Sequence, residues 1–136
     1  MKVVVNVDGG SRGNPGPAAI GVVVAESDGS VLDEVAETIG VATNNVAEYR
    51  ALLRGLERAR DLGATEIEIV GDSELIARQL TGRYKVKHPA MKPLYLDAMA
   101  ALRTFEKWRI RTVPRALNAQ ADALVNAALD GTAPGA

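Results

Sequence analysis

The hydrophobic period of this chain changes near Thr43, and that change constrains its fold more than any other feature. Before it, apolar residues come in β-branched runs: KVVVNVD at 2–8, AAIGVVVAE at 18–26 and VLDEVAETI at 31–39 read as strands. Between them lie GGSRGNPGP at 9–17, all turn formers and so a predicted loop, and SDGS at 27–30, a hairpin turn. Three strands joined this closely predict an antiparallel meander. After Thr43 the pattern is helical, with Val46, Tyr49, Leu52, Leu53, Leu56 and Ala59 on one face. Thr43 or Asn45 can cap that helix, and Gly63 sits where a C-terminal glycine belongs.

The rest of the chain alternates strand and helix. TEIEIVGD at 65–72 reads as a strand ending on Asp72, as the first strand is predicted to end on Asp8. SELIARQL is a short helix stopped by Gly82, and GRYKVKHPAMKP is an irregular basic connection. Pro93 suits the first turn of the next helix, whose apolar face is Leu94, Ala98, Leu102 and Phe105. KWRIRTV is a fifth strand, and NAQADALVNAALD a last helix with Asn118 as its cap. The predicted order is βββαβααβα. Helical crossovers require the later strands to run parallel to part of the sheet, which gives an α/β fold with a mixed five-stranded sheet flanked by helices. Residues 1–130 are expected to form one domain, and 131–136 a flexible tail or the start of a linker.

Composition narrows the chemistry. With no cysteine, the chain has no disulfide framework, thiolate metal site or thiol nucleophile. An acid at position 8 argues against a signal peptide, and no apolar run approaches the ~20 residues of a membrane span, so a cytoplasmic location is expected. The net charge of −1 hides an asymmetry: residues 1–72 carry 12 acidic and 6 basic side chains, residues 73–136 carry 5 and 10. Such polarity can mark a polyanion-binding face or a merely solvated one.

Four acids stand where chemistry could gather: Asp8 and Asp72 near strand ends, Glu48 and Asp122 in the first turns of helices. Singly, each has an ordinary explanation. Glu48, three residues after Asn45, fits a capping box, and Asp122 complements a helix dipole. Brought together, four carboxylates would repel and raise one another's pKa values unless divalent cations neutralised them. Oxygen donors with a single histidine in the chain point to hard ions rather than Zn²⁺. Two such ions are the usual device for in-line phosphoryl displacement.

Four strings carry these acids in order: VDGGSRGNPGPAAIGVV, TNNVAEYRALLRGLERA, IVGDSELIARQL and VPRALNAQADALVNAAL. Together they resemble the type 1 ribonuclease H family across residues 1–131. The resemblance implies an endoribonuclease that cuts the RNA strand of RNA–DNA hybrids, leaving 5′-phosphate and 3′-hydroxyl ends. It implies two Mg²⁺ ions with substrate bound, with Mn²⁺ as substitute. Asp8 would bridge both ions, Glu48 and Asp72 would serve the ion facing the leaving group, and Asp122 the ion activating water. Gly9, Gly10, Ser11 and Asn14 match positions that approach the RNA sugar, Glu48 also touching a 2′-hydroxyl. Asn44 and Asn45 match residues reaching minor-groove base edges, and Thr43 one that holds a DNA-strand phosphate.

The chain departs from the family twice. Where some members carry a histidine before the last helix, this loop has Arg115, which cannot shuttle a proton near neutral pH. Where many insert a basic, tryptophan-bearing helix, this chain has the short connection with Arg83, Lys85, Lys87 and Lys92, basic residues suited to phosphate contacts. Relatives with such a loop are sometimes fused to a phosphatase-like domain, so a C-terminal partner domain belongs among the expectations. Two alternatives stand beside hybrid cleavage: a two-metal nuclease of the same fold acting also on double-stranded RNA, and a non-catalytic hybrid-binding module.

Overall fold

A computed structural model describes residues 1–131. Its strands are β1 (Lys2–Ser11), β2 (Gly16–Glu26), β3 (Val31–Ala42), β4 (Glu66–Gly71) and β5 (Lys107–Thr112). Its helices are α1 (Asn44–Asp61), α2 (Glu74–Leu80), α3 (Lys92–Leu102) and α4 (Ala119–Asp130), the last preceded by a 3₁₀ turn at Arg115–Asn118. The predicted order is therefore the observed one, and the sheet runs β3-β2-β1-β4-β5. Among the described residues no helix is long and apolar enough to cross a membrane. The predicted tail at 131–136 lies, beyond Gly131, outside the described residues; Gly131 itself ends α4 in a left-handed conformation.

Pairing directions explain where a site must form. β2 is antiparallel to both β1 and β3, while β1–β4 and β4–β5 are parallel. Four strands thus point one way and only β2 opposes them. Elements that follow β3, β4 and β5 must all begin at one end of the sheet, the end to which β1 also delivers its C-terminal residues. That end receives the starts of α1 and α4 and the segment just after β4.

The two faces are covered differently. Val3, Val5 and Val7 of β1, Ile20, Val22 and Val24 of β2, and Ile67 and Ile69 of β4 meet Tyr49, Leu52 and Leu56 of α1 in the main core, which Ala98 and Leu102 of α3 extend. The opposite face of β2 carries a smaller cluster, Ala19 with Val125 and Ala128 of α4. Inside the main core the Tyr49 hydroxyl donates to Gln79 Oε1 at 2.5 Å, so the one buried phenol is satisfied.

Two sequence expectations need correction. Asp8 does not end its strand: Gly9, Gly10 and Ser11, predicted as loop, pair with Ile20, Ala19 and Ala18 of β2. The meander partner lets β1 run on after its parallel pairing with β4 ends at Asn6–Val70, and the connecting loop shrinks to residues 12–15. Asn118 occupies the N-cap position of α4, but its side chain makes no cap hydrogen bond. It is buried and turned toward β1, as described below. For α1 the cap is Thr43, whose side chain accepts from the Val46 N–H.

Candidate active site

Asp8, Glu48, Asp72 and Asp122 line one cleft at the convergent end of the sheet. Asp8 is buried inside β1. Extending the β1–β4 register two residues past Asn6–Val70 brings Asp72 alongside it. Glu48 comes from the second turn of α1, which packs against β1 at a glycine: a Cβ at Gly9 would lie 2.2 Å from the Ala47 carbonyl oxygen. The Gly9 N–H donates to Glu48 Oε1 at 3.1 Å, so Glu48 reaches across to β1 and is no capping-box residue. α4 approaches in the same way, a Cβ at Gly21 falling 2.3 Å from the Ala121 carbonyl oxygen, one residue before Asp122. Each glycine is required by close backbone approach.

Carboxylate oxygens of Asp8, Glu48 and Asp72 lie within 4.8 Å of one another. Burial, above all, pushes Asp8 up to about 7; the hydrogen bond from Glu48 opposes this, while the charges of Asp72 and Asp122 add to it. Burial, then the charge of Asp8, pushes Glu48 up to about 9. Among the described residues the single ion pair to these four acids is Arg115 Nη2 with Asp122 Oδ1, at 3.3 Å. Clustered oxygen donors with little counter-charge beside them fit a hard divalent cation. Asp122 borders the cleft outside the tight triad, held also by Asn126, whose Nδ2 lies 3.4 Å from Asp122 Oδ2.

The remaining predicted residues separate into three groups. Gly10 and Ser11 line the cleft with Gly9, and the Ser11 N–H donates to Asn44 Oδ1 at 2.9 Å. The Asn44 N–H donates to Asn14 Oδ1 at 3.1 Å, so these side chains brace the glycine-rich loop against the start of α1. Their oxygens are engaged, and their amide nitrogens have no acceptor among the described residues. Thr43 caps α1, and Asn45 is exposed beside it. Arg83, Lys85 and Lys87 are exposed on the α2–α3 connection and contribute nothing to the cleft lining, whereas Arg115 lines it. His88 is exposed, its Nδ1 accepting from the Ala90 N–H.

Sequence reasoning passed over Gly21, Asn6 and Asn126, and misread Asn118. A glycine inside a β-branched strand signals close approach, so Gly21 was open to detection. The asparagines carried no local signal.

Comparisons with known proteins agree with this fold. A family model described as reverse transcriptase-like matches residues 6–128. Over its whole length the chain is 53% identical to the bifunctional protein Rv2228c of Mycobacterium tuberculosis, of which it spans 38%. The solved N-terminal RNase H domain of that protein superposes with a TM-score of 0.93 at 52% identity, covering 96% of this chain and 100% of that one. The RNase H1 of Halobacterium salinarum superposes with a TM-score of 0.94 at 48% identity, covering 96% and 99%. LC11-RNase H1, isolated from compost by a metagenomic approach and solved in complex with an RNA/DNA hybrid, gives 0.91 at 43% identity, covering 95% and 97%. Solved RNase H domains matched across nearly their whole length, and four acids lining one cleft where the strand directions require, make this chain a member of the ribonuclease H family.

Proposed function

We propose that this domain is an endoribonuclease hydrolysing the RNA strand of RNA–DNA hybrids, with 5′-phosphate and 3′-hydroxyl products. The observation that carries the reading is the packing of three carboxyl groups within 4.8 Å, in a cleft walled by a glycine-rich strand end and a helix N-terminus. A binding module would gain nothing from clustered negative charge facing phosphate. Support for the substrate comes from the relatives named RNase H1, one of them solved with a hybrid.

Mg²⁺ is the proposed ion, two per site with substrate, and Mn²⁺ the substitute. When bound, such ions acidify the attacking water and neutralise the scissile phosphate. In this reading Asp8, which lies beside Glu48 and Asp72 in the cleft, would help hold the ions. Glu48 and Asp72 would hold the ion that serves the leaving group, and Asp122, from α4, the ion that serves the attacking water. Gly9, Gly10 and Ser11 bring backbone close to a sugar edge, where a 2′-hydroxyl distinguishes RNA from DNA. The free amide nitrogens of Asn14 and Asn44, with Asn45, face the minor groove in this reading. Thr43 at the start of α1 holds a DNA-strand phosphate, as helix N-termini favour. Arg115 meets a phosphate at the cleft, while Arg83, Lys85 and Lys87 grip the flanking duplex through charge alone, so affinity falls steeply with salt. The enzyme acts in the cytoplasm, either alone or beside a C-terminal partner domain.

The test is cleavage of an end-labelled hybrid with Mg²⁺, Mn²⁺ or EDTA, beside single-stranded RNA, double-stranded RNA and duplex DNA. Metal-dependent cutting of RNA, strongest in the hybrid, is expected. Equal cutting of double-stranded RNA would widen the substrate class, and tight binding without cutting would move the assignment to a non-catalytic module.

A further inference from the structure

Asn118 is almost wholly buried, at 1% exposure, one residue before α4 and four before Asp122. Its Nδ2 donates to the Val7 carbonyl at 2.8 Å. Its Oδ1 accepts from Asn6 Nδ2 at 3.0 Å. Both partners are on β1, directly before Asp8, and the carbonyl used belongs to the peptide that joins Val7 to Asp8. The parallel ladder to β4 has just ended, at Asn6–Val70, so the Asn118 amide takes hold of β1 where strand pairing on that side stops.

Resting on the ribonuclease H reading, we infer that Asn118, oriented by Asn6, is a positioning residue that sets Asp122 against Asp8 for divalent-cation binding. Residues four apart share a helix face, so anchoring Asn118 fixes how the first turn of α4 is rotated and where Asp122 points. Gly21 sets only how near α4 comes to the sheet. The other polar partners of Asp122, Arg115 at 3.3 Å and Asn126 at 3.4 Å, do not tie it to β1. The Val7 carbonyl can only accept, so it fixes the Asn118 nitrogen toward itself and leaves the Asn118 oxygen to accept from Asn6. No other buried asparagine side chain exists among the described residues.

The test compares wild type, Asn118→Ala and Asn6→Ala in two readouts: MnCl₂ titration followed by thermal shift of the protein alone, and hybrid cleavage against metal concentration. Outer-shell partners of metal ligands typically change metal affinity by roughly 10–100-fold, and Asn118→Ala is expected to raise the Mn²⁺ midpoint within that range. Asn6→Ala, which keeps the Val7 contact, should move it less and in the same direction, with cleavage recovered at high metal. A purely structural role would lower Tm in EDTA without moving either midpoint, and that result overturns the inference. Should Asn118→Ala not fold, an unmoved midpoint in Asn6→Ala overturns it equally. A wild type that neither shifts with Mn²⁺ nor cuts hybrid overturns the ribonuclease reading itself, whereas a working wild type matched by both variants removes only the Asn118 assignment.

Discussion

On the α1 face of the sheet, Tyr49, Leu52 and Leu56 close against valines and isoleucines from three strands, and Glu48 rises from a helix seated in that core. On the α4 face, Ala19, Val125 and Ala128 form the buried contact, and Asp122 rises from a helix held by small side chains and close backbone approach. A large apolar interface fixes a helix by area alone. A small one fixes it poorly, so orientation on the α4 side depends on polar contacts such as Asn118 to Val7. Asp8, Glu48 and Asp72 belong to the firmly held half, and Asp122 to the half that is placed by hydrogen bonds.

The largest effect should come from the firm half. Asp72→Asn is expected to reduce hybrid cleavage by about three orders of magnitude, roughly 4 kcal/mol of transition-state stabilisation. Its Tm in EDTA should hold or rise, since one repulsive charge is gone. A variant that unfolds, or one that keeps full activity, would refute its assignment.

Core truncations test the two faces directly. Leu56→Ala on the α1 side should cost about 3–5 kcal/mol in denaturant unfolding, because the tightly packed surroundings cannot collapse into the cavity. Val125→Ala on the α4 side should cost roughly 1–2 kcal/mol, near the transfer free energy of the removed carbons alone. Equal losses would show the two interfaces to be equally packed.

A smaller effect should appear as pH dependence without metal. Asp8 and Glu48 have folded pKa values above their unfolded ones, so the folded state binds more protons at neutral pH. The stability they contribute is fully present below about pH 4 and is lost as pH rises through about 7 for Asp8 and about 9 for Glu48. Raising pH across that window in EDTA should lower stability progressively. Saturating divalent cation should flatten the profile, as should Glu48→Gln. A flat profile in EDTA would mean that the acids do not crowd one another.

The smallest change in stability belongs to Arg115. Its ion pair with Asp122 is exposed on the arginine side, so Arg115→Ala should shift unfolding by less than about 0.5 kcal/mol. Hybrid affinity should fall while the salt dependence of binding becomes shallower by about one phosphate contact. An unchanged salt slope would remove Arg115 from the substrate contacts.

Much of this molecule was legible in its residues. Strand and helix order follows from periodicity, which is a local property: the β-branched runs before Thr43 and the helical face from Val46 to Ala59 each declare themselves within a few residues. The class of chemistry was legible through the resemblance that the four acid-bearing strings carry, while the absence of cysteine and the oxygen donors pointed to a hard cation. Tertiary structure decided what depends on segments distant in sequence. β2 kept Gly9–Ser11 in the strand, since an unpaired stretch and a paired one look alike until the partner's register is known. Asn118 read as a helix cap because its neighbours in sequence permit one, yet its partners lie more than a hundred residues away on β1. Convergence itself was decided there too: carboxylates spread from residue 8 to residue 72 meet, and Asp122 joins their cleft, only because four strands point one way, and strand direction is a property of pairing that no single segment encodes.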